Sequence, residues 1–147
     1  MAKYELWTDG SGNASTGGGW AYVIVRGDQE VKRGHGSVGD TTNNRMELQA
    51  VIEGLKQFDP KTAKVTVVSD SAYVVNCFLQ KWYVKWRAKN WMSSSGPVKN
   101  RDLWEELLTL VEAFGSNISF RHIRGHQGHK WNELCDQMAS LARLRVM

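Results

Sequence analysis

The order of the strand-like and helix-like patterns constrains the fold of this chain more than any other feature. Three runs near the N-terminus are rich in β-branched and aromatic residues, which is typical of strands: residues 4–9, 20–25 and 29–37. Short turns separate these runs, so we predict an antiparallel three-strand meander, with a glycine-rich turn at residues 10–13. At residues 44–58 the apolar spacing becomes that of a helix with one buried face, which Asp59-Pro60 is expected to end.

Strand-like and helix-like runs alternate through the rest of the chain. Short strands are predicted at residues 64–69 and 117–124. The other predicted elements are helices at 71–79, 81–88, from residue 100 or 101 onward and at 131–143, with loops at 91–97 and 125–130. Strand–helix alternation after a meander predicts an α/β fold. Its mixed sheet has five strands, in which parallel strands extend the antiparallel meander and helices cover both faces.

The length and composition are those of one globular domain. The 147 residues are 41% hydrophobic and 23% charged, which suffices for one core within a single domain, residues 1–147. No run of about eighteen apolar residues is present, and the chain reads directly into a strand, so we expect neither a membrane span nor a signal peptide. Cys77 and Cys135 are the only cysteines, which favours free thiols and a cytoplasmic location, with one disulfide as the alternative. Nothing in the sequence requires a dimer, so we expect a monomer.

The charges are distributed unevenly along the chain. The net charge is +4, yet no Asp or Glu occurs between Asp70 and Asp102. The remainder of the chain has a net charge of −2, because this interval carries six cations: Lys81, Lys85, Arg87, Lys89, Lys99 and Arg101. A basic element on a slightly acidic protein favours a polyanionic partner, and nucleic acid is the first candidate.

Four carboxylates stand where the apolar patterns favour neutral side chains. Asp9 and Asp70 end predicted strands, Glu47 shares the register of the buried face of helix 44–58, and Asp136 lies early in the last helix. The carboxyl ends of parallel neighbouring strands meet at one edge of a sheet, where ligands bind in such folds. Carboxylates that share a cleft repel one another and lose hydration unless a cation accompanies them. The pattern therefore predicts a divalent-metal site suited to phosphodiester hydrolysis.

Each carboxylate also has an ordinary structural explanation. Asn44 and Glu47 are three residues apart, as in a capping box that satisfies the start of a helix. Taken singly, Asp9 and Asp70 are better explained by the turns that follow strands, and Asp136 by the solvent-facing side of a helix. Only the joint pattern favours a metal site over these separate explanations.

Two further patterns have alternative interpretations. Three histidines lie near Cys135 and could indicate a zinc site: His122, His126 and His129. The paired cysteines of a zinc finger are missing, however. The lysine- and tryptophan-rich segment could be an amphipathic helix with a solvated cationic face. The absence of acidic residues there favours nucleic-acid binding instead.

Several motifs, taken together, resemble ribonuclease H of the bacterial type 1 group. The matching strings are Thr8-Asp9-Gly10-Ser11, Thr41-Thr42-Asn43-Asn44-Arg45-Met46-Glu47-Leu48, Ser69-Asp70-Ser71, Gly125-His126-Gln127-Gly128-His129, Asn132-Glu133 and Cys135-Asp136. Their order and spacing cover essentially the whole chain, including the basic segment. The resemblance implies a ribonuclease H-like fold and hydrolysis of the RNA strand of RNA–DNA hybrids.

The resemblance also implies the catalytic groups and their cofactor. Asp9, Glu47, Asp70 and Asp136 match the ligands of two Mg²⁺ ions, for which Mn²⁺ can substitute, and the products would carry 5′-phosphate and 3′-hydroxyl ends. His126 matches the family's loop histidine, which would move protons or help the product phosphate to leave.

The positions that match the substrate-binding residues of the family lie in two places. Asn13, Asn43 and Asn44 are candidates for minor-groove contacts, and Thr42 for binding a phosphate of the DNA strand. A basic protrusion at about residues 81–101 supplies cations and aromatic rings: Lys81, Trp82, Lys85, Trp86, Arg87, Lys89 and Trp91.

The chain departs from the family pattern at two places. Ala72 stands where close relatives often carry a glutamine that touches the RNA strand, and the loop at residues 12–17 is shortened and lacks proline.

Two other functions remain open beside the leading one. The first is a metal-dependent nuclease or strand-transfer enzyme of the same fold that acts on other nucleic acids. The second is a non-catalytic module that binds hybrids.

Overall fold

The computed structural model describes residues 1–145, which form seven strands, five α-helices and one 3₁₀ helix at Gly115–Asn117. The strands and α-helices are, in chain order, β1 (Ala2–Asn13), β2 (Gly17–Arg26), β3 (Gln29–Val38), α1 (Asn43–Leu55), β4 (Ala63–Ser69), α2 (Ala72–Leu79), α3 (Trp82–Ala88), β5 (Met92–Ser93), β6 (Gly96–Pro97), α4 (Arg101–Phe114), β7 (Ile118–His122) and α5 (Lys130–Leu144). Among these residues no helix combines the length and the apolar character needed to cross a bilayer.

Five of the strands form one mixed sheet with the order β3-β2-β1-β4-β7. The pairs β1–β2 and β2–β3 are antiparallel, whereas β4 runs parallel to both β1 and β7. This topology confirms the predicted meander extended by parallel strands. It also places the carboxyl ends of β1 and β4 side by side at one edge of the sheet.

Helices cover both faces of this sheet because successive side chains of its central strands point to opposite faces, and both sets of side chains are apolar. Leu6 belongs to the larger core, which the helices on one face complete, with the fully buried Trp104 of α4 at its centre. The neighbouring Trp7 belongs to a second core on the other face, where Cys135 and Ala139 of α5 pack against β1 and β2. Each face is therefore stabilised by apolar burial, and α5 alone among the helices supplies the second core.

The glycine-rich segment 10–13 is strand, not the predicted turn. β1 continues through it and pairs with β2 as far as Asn13 opposite Gly17. Glycine lets the strand pass directly beneath α1, since a Cβ at Gly10 would overlap the backbone of Met46 and Glu47. The reversal of the chain is displaced to residues 14–16.

Two other boundaries differ from the sequence-based expectations. Helix α1 ends at Leu55 rather than at residue 58, because the next amides form tighter i→i−3 hydrogen bonds, from Gln57 N to Gly54 O and from Phe58 N to Leu55 O. The predicted loop 91–97 contains the small hairpin β5–β6. Neither change affects the edge of the sheet at which the carboxylates lie.

Candidate active site

The parallel register of β1 and β4 brings Asp9 and Asp70 together. Trp7 lies opposite Val68, so the same register carried two residues further sets Asp9 beside Asp70. Asp9 is 7% exposed and its Oδ1 accepts a hydrogen bond from Gly10 N at 3.0 Å. Asp70 is half-buried, and Asn132 Nδ2 donates to its Oδ2 at 3.4 Å. Their meeting at the carboxyl edge is the convergence that the sequence pattern predicted.

Helix α1 brings Glu47 to the same place. Because Gly10 has no side chain, the first turn of α1 packs directly on β1 beside Asp9. Glu47 is 5% exposed, and its Oε1 is buried without a hydrogen-bond partner. A buried carboxylate oxygen with no donor is costly, so this side chain needs a cation or a proton.

The capping-box explanation of Glu47 is wrong. Thr42 is the residue that caps α1, since its Oγ1 accepts a hydrogen bond from Arg45 N at 3.2 Å. Asn44 lies within the helix and is exposed. Glu47 therefore has no capping role and points into the cluster of carboxylates.

Asp9, Glu47 and Asp70 form a compact acidic cluster. Each residue offers a carboxylate oxygen, and these oxygens lie within 4.8 Å of one another. Burial, and then the negative charge of Asp70, raises the pKa of Asp9 to about 7. Burial, followed by the charge of Asp9, raises the pKa of Glu47 well above its usual value. Without a cation, this cluster favours protonated carboxyl groups at neutral pH.

Asp136 and His126 line the cleft above this cluster but do not belong to it. The cleft has a volume of about 440 Å³, and Asp136 is half-buried in its wall. His126 lies in the loop before α5 and is exposed, with a backbone φ of 57°. This left-handed conformation costs a non-glycine residue about 1 kcal/mol.

The structure does not support the zinc alternative. Within residues 1–145 the acidic cluster is the one group of three or more His, Cys, Asp or Glu side chains close enough to share an ion. Cys135 is buried, and its Sγ donates to Trp7 O at 3.4 Å. Burial raises the pKa of its thiol well above the usual value, which disfavours the thiolate that a metal needs.

The predicted substrate-binding residues near the cleft have different surroundings. Asn43 and Asn44 line it from the first turn of α1, and Asn43 Oδ1 accepts a hydrogen bond from Gly12 N at 3.3 Å. Thr42 is exposed beside them, with its hydroxyl engaged in capping α1. Asn13 lies at the end of β1, where its Oδ1 accepts hydrogen bonds from the backbone and hydroxyl groups of Ser15 and Thr16. The Asn13 oxygen therefore organises its own turn.

Acidic residues of α4 neutralise part of the basic protrusion. Arg87 pairs with Glu112 at 2.7 Å, and Arg101 pairs with Glu105 at 2.8 Å. The remaining cations of the segment are exposed and form no ion pair within the described residues: Lys81, Lys85, Lys89 and Lys99. The unpaired positive charge of the protrusion therefore resides in its lysines.

The tryptophans of the protrusion mainly anchor it by packing against other side chains. Trp91 is only 7% exposed and packs against Trp86, which in turn contacts the buried Trp104. This burial corrects the expectation for Trp91, because a ring enclosed by other side chains offers no face to a base. Trp86 and Trp82 are half-buried, and Trp82 Nε1 donates to Gln80 Oε1 at 2.9 Å. The assignment of Trp82 as an aromatic contact for nucleic acid stays a prediction.

Two residues of the site were assigned no role from the sequence. Asn132, 3% exposed, donates to Asp70 and thereby orients that carboxylate. It stands in one of the family motifs, which was the available signal. Tyr73 lines the cleft, and its hydroxyl accepts hydrogen bonds from Asn100 and Trp104. No local pattern distinguishes it from other aromatic residues of a buried helix face.

Comparison with known proteins gives consistent matches along the chain. The sequence profile of the RNase H family matches residues 1–143. The Ribonuclease H of Caldicellulosiruptor saccharolyticus is 43% identical over 142 residues, which are 95% of this chain and 94% of that protein. LC9-RNase H1, a type 1 RNase H with the type 2 active-site motif, superposes with a TM-score of 0.83 at 26% identity, covering 100% of this chain and 74% of that one. LC11-RNase H1 in complex with RNA/DNA hybrid gives a TM-score of 0.74 at 19% identity and 97% coverage of both chains.

A mixed sheet that brings buried carboxylates to its carboxyl edge defines the ribonuclease H-like class of enzymes. The fold and the enzyme class implied by the motifs are confirmed. The chain belongs to the RNase H family.

The cluster fits the divalent-metal dependence of this family. Its donors are all carboxylate oxygens, which are the ligands that Mg²⁺ and Mn²⁺ prefer. The unpartnered Glu47 Oε1 supplies a buried negative atom that a cation would satisfy. The residues present therefore suit a hard divalent cation.

Proposed function

We propose that this protein is an endoribonuclease that hydrolyses the RNA strand of RNA–DNA hybrids and leaves 5′-phosphate and 3′-hydroxyl ends. The observation that carries the proposal is the acidic cluster Asp9, Glu47 and Asp70 at the carboxyl edge of an RNase H sheet. The relatives named Ribonuclease H and the hybrid complex of LC11-RNase H1 support the substrate.

Two Mg²⁺ ions, or Mn²⁺ in their place, are the cofactors that we propose for the cluster. Asp9, Glu47 and Asp70 would hold them, and Asp136 would complete the ligand set from the wall of the cleft. When bound, such a pair of ions activates the attacking water and stabilises the leaving oxygen. Asn132 keeps Asp70 oriented through its hydrogen bond.

His126 would move a proton through an imidazole nitrogen at the mouth of the cleft. Its exposure and its place in a loop suit exchange of that proton with solvent. Its role is secondary, because the acidic cluster and its cations supply most of the electrostatic stabilisation.

We propose that the hybrid lies across the cleft and the protrusion. Asn43, Asn44 and Asn13 would contact the minor groove, and Thr42 a phosphate of the DNA strand. On the protrusion, the exposed lysines Lys81, Lys85 and Lys89 would contact phosphates, with the half-buried rings of Trp82 and Trp86 beside them. Arg87 contributes less than the lysines, because it already pairs with Glu112.

Residues 1–147 would act as one catalytic domain, with the basic protrusion at about 81–101 as its substrate-binding extension. We further propose that the protein works as a monomer in the cytoplasm, without a membrane. Cys77 and Cys135 are free and buried, which is consistent with a reducing compartment.

The decisive experiment compares duplexes that differ only in sugar chemistry. Labelled RNA–DNA, RNA–RNA and DNA–DNA duplexes are incubated with the protein in Mg²⁺ or in chelator, and the products are resolved on gels. We expect cleavage of the RNA strand of the hybrid alone, and only with the cation. Cleavage of DNA–DNA duplexes would favour the nuclease or strand-transfer alternative. Binding of the hybrid without cleavage would favour a non-catalytic module.

Replacing His126 by alanine is expected to lower kcat by about 10- to 100-fold without abolishing cleavage, because a proton-transfer group is lost while the acidic cluster remains. Steady-state kinetics on the hybrid measures this change. His35→Ala is the matched control, since His35 is exposed on β3 and lies outside the cleft. An unchanged kcat in His126→Ala would remove the proposed role.

Neutralising Lys85 and Lys89 as the pair Lys85→Gln/Lys89→Gln is expected to raise KM about 5-fold at low salt and to flatten its salt dependence, because two phosphate contacts are lost. The control Lys61→Gln/Lys64→Gln makes the same change of charge at exposed lysines outside the protrusion. Equal effects of the two pairs on KM would show that only net charge matters and would support the solvated-helix alternative.

A further inference from the structure

The β1–β2 hairpin reaches past the acidic cluster and forms one rim of the cleft. β1 extends four residues beyond Asp9, and its pairing with β2 runs to Asn13 opposite Gly17. Five glycines lie in this part of the ladder: Gly10, Gly12, Gly17, Gly18 and Gly19. Glycine-rich strands have few side chains to pack and lose more conformational entropy on ordering. The tip of this hairpin, residues 11–17, therefore needs contacts from elsewhere to stay in place.

Within residues 1–145, two side chains from outside the hairpin form hydrogen bonds with this tip. Asn43 accepts one hydrogen bond from Gly12 N. Arg143 of α5 makes two: Nη1 donates to Ser11 Oγ at 3.2 Å, and Nη2 donates to Thr16 Oγ1 at 2.6 Å. Arg143 thus joins the strand side and the turn side of the tip with one rigid fork. The hydrogen bonds of Asn13 stay within the turn and do not tie it to the body.

The packing of α5 explains how Arg143 reaches the hairpin. A Cβ at Gly19 would overlap Ala139 O and would lie 2.6 Å from Arg143 N, so the helix sits directly on β2. Arg143 follows Asp136 by seven residues, which is two helical turns and returns to the same face. One face of α5 therefore presents Asp136 to the cleft and Arg143 to its rim.

The guanidinium of Arg143 is matched to neutral partners. Both of its acceptors are hydroxyl oxygens, and within residues 1–145 no carboxylate forms an ion pair with it. Two donors held in a planar fork can satisfy both hydroxyls at once, whereas the single ammonium of a lysine has no such fixed geometry. Ser11 also lines the cleft, so the same fork reaches a residue of the cleft wall.

We propose that Arg143 is a positioning residue that locks the hairpin tip to α5 and so holds this rim of the cleft in the geometry that binds nucleic acid. The proposal rests on the proposed function for its kinetic consequence. Arg143 does not touch the reacting atoms; it acts through Ser11 and Thr16.

The test compares two substitutions of Arg143 that remove the fork with a substitution of Arg145 that removes only a positive charge. Arg143→Met is expected to raise KM for the hybrid by about 5- to 20-fold and to change kcat less than 2-fold, since the acidic cluster is untouched. Arg143→Lys keeps the charge, and we expect it to recover little of the loss. Arg145→Met is the matched control, because Arg145 is exposed two residues further along and forms no side-chain hydrogen bond within the described residues.

Hydrogen exchange gives a readout that does not depend on activity. The amides of residues 11–17 are expected to exchange faster in Arg143→Met than in wild type or Arg145→Met, while those of β4 stay unchanged. The partner variant Ser11→Ala/Thr16→Val should produce the same increase in KM. Combining it with Arg143→Met should add little, because both changes remove the same bonds.

The outcomes separate this proposal from the function on which it rests. Full recovery by Arg143→Lys, an equal effect of Arg145→Met, or unchanged exchange at residues 11–17 would overturn the positioning role. A wild-type protein that does not cleave the hybrid would overturn the proposed function, while the exchange data would still decide whether Arg143 locks the tip. A fall in the thermal stability of Arg143→Met with no change in its KM would also overturn the positioning role of Arg143.

Discussion

Asp9→Asn is expected to abolish cleavage of the hybrid, with a loss of at least about 10³-fold in kcat, and at the same time to stabilise the metal-free protein at neutral pH. The activity falls because asparagine is a weaker and uncharged ligand for the proposed cations. The stability rises because the variant removes one charge from a cluster whose oxygens lie within 4.8 Å of one another.

The dependence of this stabilisation on pH follows from the raised pKa of Asp9. Burial and the charge of Asp70 raise that pKa from 3.8 to about 7 in the folded protein. A carboxyl group with a raised folded pKa favours folding below its unfolded pKa, and this contribution is lost as pH rises through the folded value. The metal-free wild type should therefore lose stability between about pH 4 and pH 7 relative to Asp9→Asn. At pH 8 the difference in the free energy of unfolding should be about 2 to 4 kcal/mol.

Thermal and denaturant unfolding in chelator, at pH 5 and pH 8, measures this difference. Asp40→Asn is the control, because Asp40 is exposed and forms no side-chain hydrogen bond or ion pair within the described residues. Added Mg²⁺ should stabilise the wild type and leave Asp9→Asn largely unaffected, since ligand binding stabilises only the state that binds it. Wild-type turnover in Asp9→Asn with Mg²⁺ would show that the metal assignment is wrong.

Gly10→Ala is expected to have the second-largest effect, although it adds only one methyl group. That Cβ would overlap the backbone of Met46 and Glu47, so the first turn of α1 must move away from β1. Backbone cannot rotate aside as a flexible side chain can, and we expect a loss of about 2 to 3 kcal/mol in the free energy of unfolding. Displacing Glu47 by about 1 Å from the other carboxylates should also lower kcat about 100-fold.

Gly39→Ala is the matched control for this substitution. A Cβ at Gly39 would meet nothing within 4 Å, so its effect on stability should stay below about 0.5 kcal/mol. Denaturant unfolding and steady-state kinetics of the two variants separate crowding from the general cost of replacing a glycine. Wild-type stability and kcat in Gly10→Ala would show that close packing of α1 on β1 does not position Glu47.

The convergence of the carboxylates could be predicted because it depends on regular structure. Asp9 and Asp70 end strands, and parallel strands bring their carboxyl ends together whatever their other residues are. Glu47 shares the register of a buried helix face, so its inward direction followed from the spacing alone. The segment 10–13 was predicted wrongly because glycine is frequent in turns, whereas here its missing side chain admits a helix from another part of the chain.

The surroundings of the protrusion and of the hairpin could not be predicted, because they depend on residues far along the chain. The pairing of Arg87 with Glu112 and the burial of Trp91 are set by the packing of α4 against α3 and its flanking turns. Arg143 lies 132 residues from Ser11, and its sequence context shows only a cation in the last turn of a helix. Local patterns contain no information about such contacts.

The dependence of the second core on α5 has a consequence for synthesis on the ribosome. Trp7 and Val23 belong to strands made early, yet their apolar partners Cys135 and Ala139 are synthesised more than a hundred residues later. A nascent chain that has not yet released α5 leaves that side of its sheet uncovered and lacks Asp136. This face of the sheet is therefore completed only after α5 has left the ribosome.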